Sequence, residues 1–352
     1  MRMSMERRWS TAISVAFAAL VVIAALALAA CGGSSTTASN SPSTATLPSA
    51  DPSDPLLRPW PTPTVAGAIA FSRVVKQEAG VTLENADICV VNADGTGLTQ
   101  LTDDPAWEDH PSWSPDGSKI VYAVYDSPGG LGPSPADASV WAMNADGSGK
   151  VRLTKGSAGS GFDPSWSPDG KHIAFDTYRP SSKQVQWAVD VMNAEGSGRH
   201  QVSDGLGDDM GSAWTPDGRI MFARVLEGGG GFAQGKVLIS VVNPDGSGLG
   251  RLGKKWGGEL SPDGKYVTFA DSDFVKVIAL QGGGTPVTLL HPTTDFMTNT
   301  DCACAWTPDG KALAVSSGGG TGSRLYIVNA DGSGLSAVPG VETAQDPAWR
   351  PE

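Results

Sequence analysis

The sequence is poor in charge, in cations, in histidine and in cysteine. Charged side chains make up 18% of its 352 residues, against about 25% in ordinary globular chains. Lys and Arg number 25 against 37 Asp and Glu, for a net charge of −12. That balance excludes a nucleic-acid binder, because neutralising phosphates takes clustered cations. There are only four histidines and four cysteines, few groups from which to build a metal cluster or a nucleophile. No G-x-S-x-G nucleophile elbow and no G-x-x-x-x-G-K-[ST] phosphate loop occurs. The abundant residues are glycine (45), proline (25) and, for so few aromatics, tryptophan (11). Tryptophan in that number speaks against a disordered chain, and 352 residues can bury a large core.

The first thirty residues read as an export signal. Arg2, Arg7 and Arg8 precede an uncharged apolar run over 11–30, long enough to span a bilayer. Leu28-Ala29-Ala30-Cys31, followed by Gly32, Gly33, Ser34 and Ser35, resembles the bacterial lipobox. Small residues there suit a signal peptidase. Residues 1–30 are accordingly expected to be cleaved and Cys31 to carry lipid, anchoring the chain outside the cytoplasm. Cleavage removes three basic residues and one acidic one, taking the net charge from −12 to −14. Residues 31–66, rich in Ser, Thr and Pro, cannot bury enough apolar surface to fold and form a tether.

Repeats organise residues 67–352. WSPDG occurs at 113–117 and 166–170, WTPDG at 214–218 and 306–310, LSPDG at 260–264, and Trp349-Arg350-Pro351-Glu352 breaks off inside a further copy. The motif aspartates at 116, 169, 217, 263 and 309 lie 46 to 53 residues apart. NADGTG at 92–97, NADGSG at 144–149 and 329–334, NAEGSG at 193–198 and NPDGSG at 243–248 alternate with the first motif. Both have turn chemistry, with glycine at a left-handed position, and both predict three-residue hairpins with a glycine bulge. Short β-rich runs flank them, such as IVYAVY from Ile120 and LYIVN before Ala330. Four short strands per unit, at about 48 residues, match one propeller blade. The last inner strand, from Asp346, has no partner after it, and the first globular strand, over 67–74, has no inner strand before it. Joined, they complete a sixth blade and remove the exposed edges. The expected fold is therefore all-β: a six-bladed β-propeller closed by a C-terminal inner strand on the N-terminal blade.

These WSPDG, IAF-type and NADGSG runs resemble the WD-like repeats of TolB-like propellers across 67–352. The resemblance implies the fold and leaves the activity open, since one fold hosts many functions. TolB itself carries an N-terminal α/β domain that engages its Tol partner; here that stretch holds the lipobox and the tether.

The PDG and NADG turns share one face. The opposite face gathers long, dissimilar loops (75–87, 126–139, 179–188, 226–236 and 291–301), and varied loops on a rigid scaffold usually carry function. Where inner strands begin on that face the chain places Glu108, Asp109 and His110, then Asp163, Asp208 and Asp209, Asp301 and Asp346; Lys254, Lys255 and Trp256 break the pattern. The functional reading is a mouth for a cationic partner group or a divalent ion, with calcium the candidate because it takes many oxygen ligands. The structural reading is that these aspartates initiate and cap turns, as Asp163-Pro164 and Asp346-Pro347 would.

Trp107, Phe162, Trp187, Phe232 and Phe296 are placed in the same loops, where exposed aromatics suit a partner surface. The repeat tryptophans (113, 166, 214, 306 and 349) read as wedges between blades. His110 and His291 fall in loops, His172 and His200 on strands. Cys302 and Cys304 share one face of a strand and could pair locally, while Cys89 sits apart; no catalytic role is assigned to them. The chain is read as a monomeric, non-catalytic module for an extracytoplasmic protein partner, held to the bacterial membrane by its lipid. The alternative is a propeller lyase or hydrolase acting on extracellular glycans or peptides.

Overall fold

The computed structural model describes residues 66–76, 84–126, 135–154, 160–179, 187–226, 236–253, 258–271, 274–279, 286–290, 304–317 and 323–351. The signal sequence, Cys31, the tether, Lys254–Trp256, Phe232, His291, Phe296, Asp301 and Cys302 lie outside these.

Strands follow each other in antiparallel sets. The first comprises β1 (Ala68–Lys76), β2 (Glu84–Asn92) and β3 (Thr99–Gln100). Next come β4 (Trp107–Trp113), β5 (Lys119–Tyr125), β6 (Ala138–Asn144) and β7 (Val151–Arg152), joined to the first set by one parallel pairing of Ala86 with Trp107. The third set is β8 (Phe162–Trp166), β9 (His172–Tyr178), β10 (Trp187–Asn193) and β11 (His200–Gln201). The fourth is β12 (Asp208–Trp214), β13 (Ile220–Leu226), β14 (Lys236–Val242) and β15 (Gly250–Gly253). Then come β16 (Tyr266–Asp271), β17 (Phe274–Ala279) and β18 (Val287–Leu290), with Leu260 bridging to Val267 ahead of them. The last full set is β19 (Cys304–Trp306), β20 (Ala312–Ser317), β21 (Arg324–Asn329) and β22 (Ser336–Glu342). The final strand, β23 (Ala344–Trp349), turns back to pair with β1, Ile69 opposite Trp349 and Arg73 opposite Ala344. The fold is an all-β propeller, and the first strand set is closed by the C-terminal strand as the split repeat requires.

The core lies between neighbouring sets. Val121, Val140 and Leu153 of one set pack against Trp166, Ile173, Phe175 and Met192 of the next. Val275, Val277 and Leu289 meet Trp306, Leu313 and Val328 in the same manner. At the closure, Trp349 and Ile69 share a cluster with Ala314, Leu325 and Ile327. Trp113, Trp166, Trp306 and Trp349 are buried wedges; Trp214 is half-buried and donates its indole N–H to Ser165 O across the interface at 3.1 Å.

The two turn motifs differ. In NADG the Asn92 N–H bonds Thr96 O at 2.9 Å around a three-residue loop, as expected. In the PDG turns the loop is generally one residue longer: Ser114 N–H bonds Lys119 O, and the same spacing recurs at Ser167, Ser261 and Thr307. Only Thr215, which bonds Arg219 O, keeps three residues between partners. The turn aspartate braces the loop: Asp116 Oδ1 accepts from the Ser118 N–H at 3.0 Å and from the Ser114 hydroxyl at 2.6 Å. Successive turns then touch: a Cβ added to Gly170, Gly264 or Gly310 would meet Pro115, Pro216 or Pro262 of the preceding unit at 3.6–3.7 Å. The proline thus presets its own turn and forms the seat for the next.

Candidate functional site

Three inner strands share a device three residues before their tryptophan. His110, Asp163 and Asp346 have φ of 50°, 53° and 48°, and Gly211, at the same place in β12, has 66°. Each lies where the ladder skips, between Asp109 and Ser112, Phe162 and Ser165, Met210 and Ala213, and on β23 where Ala348 and Gln345 flank the irregularity. A left-handed residue in a bulge re-aims its side chain, and Asp and His are among the few types that tolerate it. His110 and the two Asp-Pro pairs are therefore bulge residues within strands, where the sequence suggested turn caps and, for His110, a loop.

The bulges bring side chains from three sets together. His110 Nε2 lies 3.7 Å from Asp346 Oδ1 and 3.8 Å from Asp163 Oδ1. Its Nδ1 lies 2.8 Å from Asp109 Oδ1, off the hydrogen-bond direction, so neither buried atom has a well-aligned partner. Trp107 Nε1–H donates to Asp109 Oδ2 at 2.9 Å, and the Ser72 hydroxyl donates to Asp346 Oδ2 at 3.1 Å. Burial works against charge on His110, yet the Asp346, Asp109 and Asp163 carboxylates outweigh it and hold its pKa well above the usual value. Burial lifts the Asp346 carboxyl, opposed by His110 and aided by Asp109 and Asp163. Burial, then the charges of Asp109, Asp163 and Asp346, keep the Tyr125 phenol from ionising. Behind Asp163, Asp176 is buried and accepts the backbone N–H groups of Gly211 and, at 3.2 Å, Ser212. Its pKa is raised well above the ordinary range by burial and by Asp163.

The remaining acids divide. Glu108 points away from His110 into the contact with the first strand set; burial pushes it up to about 8, and its Oε2 has no hydrogen bond. Asp208 Oδ1 accepts the Trp187 N–H at 3.1 Å, tying β12 to β10. Asp209 is wholly buried and grips Arg224 through bonds of 2.6 and 2.8 Å. It is a structural ion pair, which corrects its assignment to the mouth.

The aromatics also shift. Trp107, Phe162 and Trp187 are the first residues of β4, β8 and β10 rather than loop residues. Phe162 meets Trp187 edge-on at 5.3 Å, Tyr178 lies 4.8 Å from Trp187, and Trp107 and Phe162 pack on Ala123, Tyr125 and Ala138. All three are half-buried, so they form a partly open aromatic cluster beside the Asp–His set. Cys89 is buried and its thiol is pushed up to about 12, so it is inert.

Sequence reading missed Ser72, Tyr125, Asp176 and Arg224. The signal for the last two was a charged residue inside an otherwise apolar strand, in HIAFDTY and RIMFARV. Ser72 and Tyr125 carry no such mark.

The set can hold a cation. It is not arranged as a nucleophile with its base, because the Ser72 hydroxyl is committed to Asp346 rather than to the imidazole.

Antiparallel strand sets joined by a closing C-terminal strand, with side chains of neighbouring sets meeting at His110, define the class: a β-propeller scaffold. The TolB beta propeller domain family matches residues 156–352, more than half of the chain, and the chain belongs to that family. The Tol-Pal system protein TolB of Francisella tularensis subsp. mediasiatica is 26% identical over 256 residues, covering 69% of this chain and 54% of that protein. An uncharacterized peptidase of Bacillus subtilis is 27% identical over 137 residues, 39% of this chain and 19% of the relative. The chain spans from about a seventh to about half the length of the curated relatives it matches. Among solved structures, TolB from Acinetobacter baumannii superposes with a TM-score of 0.63 at 20% identity, over 81% of this chain and 67% of that one, which speaks for the fold alone.

Proposed function

We propose that the chain is a bacterial lipoprotein, anchored through Cys31 outside the cytoplasm, whose propeller has six blades and binds a protein partner without catalysis. The partner contacts the long-loop face and sets a cationic group near the acids where the inner strands converge. The observation that carries this reading is the grouping of Asp109, Asp163 and Asp346 around one imidazole, with the half-buried Phe162–Trp187–Tyr178 cluster alongside. Acid beside aromatic surface suits a cationic side chain through charge and cation–π attraction. A relative assigned by name to the Tol-Pal system supports a role in a protein assembly.

Calcium, the ion expected from the acidic residues, has weaker support than the partner, because an imidazole nitrogen stands at the centre where calcium takes oxygen. The test is photo-crosslinking in cells from positions 107 and 162, followed by mass spectrometry. One protein adduct identifies the partner. Its absence, with the chain correctly displayed, counts against a binding module. Loss of labelled fatty acid in Cys31→Ala checks the anchor separately.

A further inference from the structure

We propose that His200 is a pH-dependent clasp: as an imidazolium it fastens the turn between β14 and β15 to the third strand set, and on losing its proton it releases that turn. The device is separate from the binding reading and does not depend on it.

The turn at 243–248 lacks ties that its counterparts have. At the four equivalent turns an alanine N–H bonds back into its own set: Ala93 to Gly67 O, Ala145 to Ser118 O, Ala194 to Lys171 O and Ala330 to Lys311 O, at 2.8–3.0 Å. Pro244 stands in that place and has no N–H to give. The seat on the neighbouring set is also loose. A Cβ on Gly95, Gly147, Gly196 or Gly332 would come within 2.6–2.9 Å of a carbonyl oxygen of that set, whereas on Gly246 it meets nothing nearer than 3.7 Å.

His200, on β11, supplies a tie in their stead. Its Nε2 lies 2.8 Å from Pro244 O and its Nδ1 2.9 Å from Gly198 O. Both oxygens are carbonyls and can only accept. A neutral imidazole has one N–H, so its other nitrogen would set a lone pair against a carbonyl; the imidazolium donates to both. The charges around it agree. Asp190 on β10 and Asp245 on the turn itself favour the cation, and Arg199 beside it is committed to Asp190 at 2.8 Å. The Gly198 carbonyl above all, with the Pro244 carbonyl and the two carboxylates, outweighs burial and raises the pKa above its ordinary 6.5. A histidine raised on folding stabilises fully below its unfolded value, and that contribution is lost as pH rises through the folded one. The clasp is therefore closed in mild acid and opens on the alkaline side. Elsewhere Trp214 bonds Ser165 O and Asp208 bonds the Trp187 N–H across the same seam, so the opening is confined to the turn.

The test is hydrogen exchange with mass spectrometry on the full chain in detergent micelles between pH 6 and 9, corrected for the intrinsic rate, with the turns at 144–149 and 329–334 as internal references. Protection of 243–248 is expected to fall about 2–10-fold across that range, the worth of one hydrogen bond, while the references hold. His200→Gln should make exchange of this turn independent of pH. Should that variant not fold, His200→Lys, charged throughout, takes its place with the same expectation. The Cε1–H resonance that disappears in the variant should titrate above 6.5 in the native chain. A value at or below 6.5 overturns the proposal. So does protection of 243–248 that is constant with pH, that falls in step with the references, or that keeps its pH dependence without His200.

Discussion

Thr343 and Val74 hold each other by two hydrogen bonds although 269 positions separate them: the Val74 N–H donates to Thr343 O at 3.1 Å, and the Thr343 hydroxyl donates to Val74 O at 2.8 Å. Arg350 N–H adds a bond to Ala68 O at 2.9 Å. The chain therefore closes by a short C-terminal strand, and the wedge on that strand is Trp349, buried against Ile69. Trp349→Ala is expected to cost about 3–5 kcal/mol, the usual range for a buried aromatic truncated to alanine. Removal of 343–352 leaves β1 as an unpaired edge, which invites association. Urea titration should show the first effect and size-exclusion chromatography oligomers for the second.

The Asp209–Arg224 pair gives a second expectation. Arg224 also bonds Asp204 at 2.7 Å and lies over the Phe222 ring at 5.4 Å. Removing one partner of a buried pair leaves the other charge stranded. Arg224→Ala should destabilise by about 3–5 kcal/mol, whereas the double variant Asp209→Leu with Arg224→Met should recover most of that loss. Chemical denaturation of the three proteins decides it; equal losses in single and double variants would refute the stranded-charge explanation.

The tight turns provide a comparison within one chemistry. Gly196 and Gly218 have φ of 88° and 81°, so alanine is strained at both. A Cβ on Gly196 would also stand 2.8 Å from Leu153 O of the preceding set, while one on Gly218 meets nothing within 4 Å. Gly218→Ala should cost about 1 kcal/mol and Gly196→Ala at least 1 kcal/mol more. Thermal melts of the two variants test whether the NADG turns lock neighbouring units.

Most of the fold was legible because turn chemistry and strand patterning repeat. PDG and NADG fix where strands end, and the stranded copy at Trp349 fixes the closure. The site was only half legible. His110, Asp163 and Asp346 stood out as polar residues where inner strands begin, each followed by proline and three residues before a tryptophan, but that spacing marks only a position, and their convergence depends on the left-handed backbone at the three bulges. Asp209, five residues before Trp214, occupies the place that Glu108 holds before Trp113, and pairs with Arg224, which sits opposite it on β13. One position along the strand, which turns a side chain to the other face, thus separates the site residue Asp109 from the structural Asp209.

Asp87 allows a test by pH. It is 2% exposed, its Oδ1 has no hydrogen bond, and only Gln100 reaches Oδ2, at 3.0 Å. Burial, then the charges of Asp103 and Asp104, push its pKa from 3.8 up to about 6, against the pull of Arg73. A carboxyl raised on folding destabilises the native state when ionised, so the penalty is full above pH 6 and vanishes below the unfolded value near 4. The gap of about two pH units sets a ceiling near 3 kcal/mol. Asp87→Asn keeps an oxygen for Gln100 and removes the charge. It should raise stability at pH 8 by about 1–3 kcal/mol, with the gain shrinking as pH falls through 6 and gone by pH 4. Urea midpoints of both proteins measured from pH 4 to 8 give the comparison. A difference that stays constant over that range would mean the carboxyl is not raised, and that the buried charge is neutralised by Arg73.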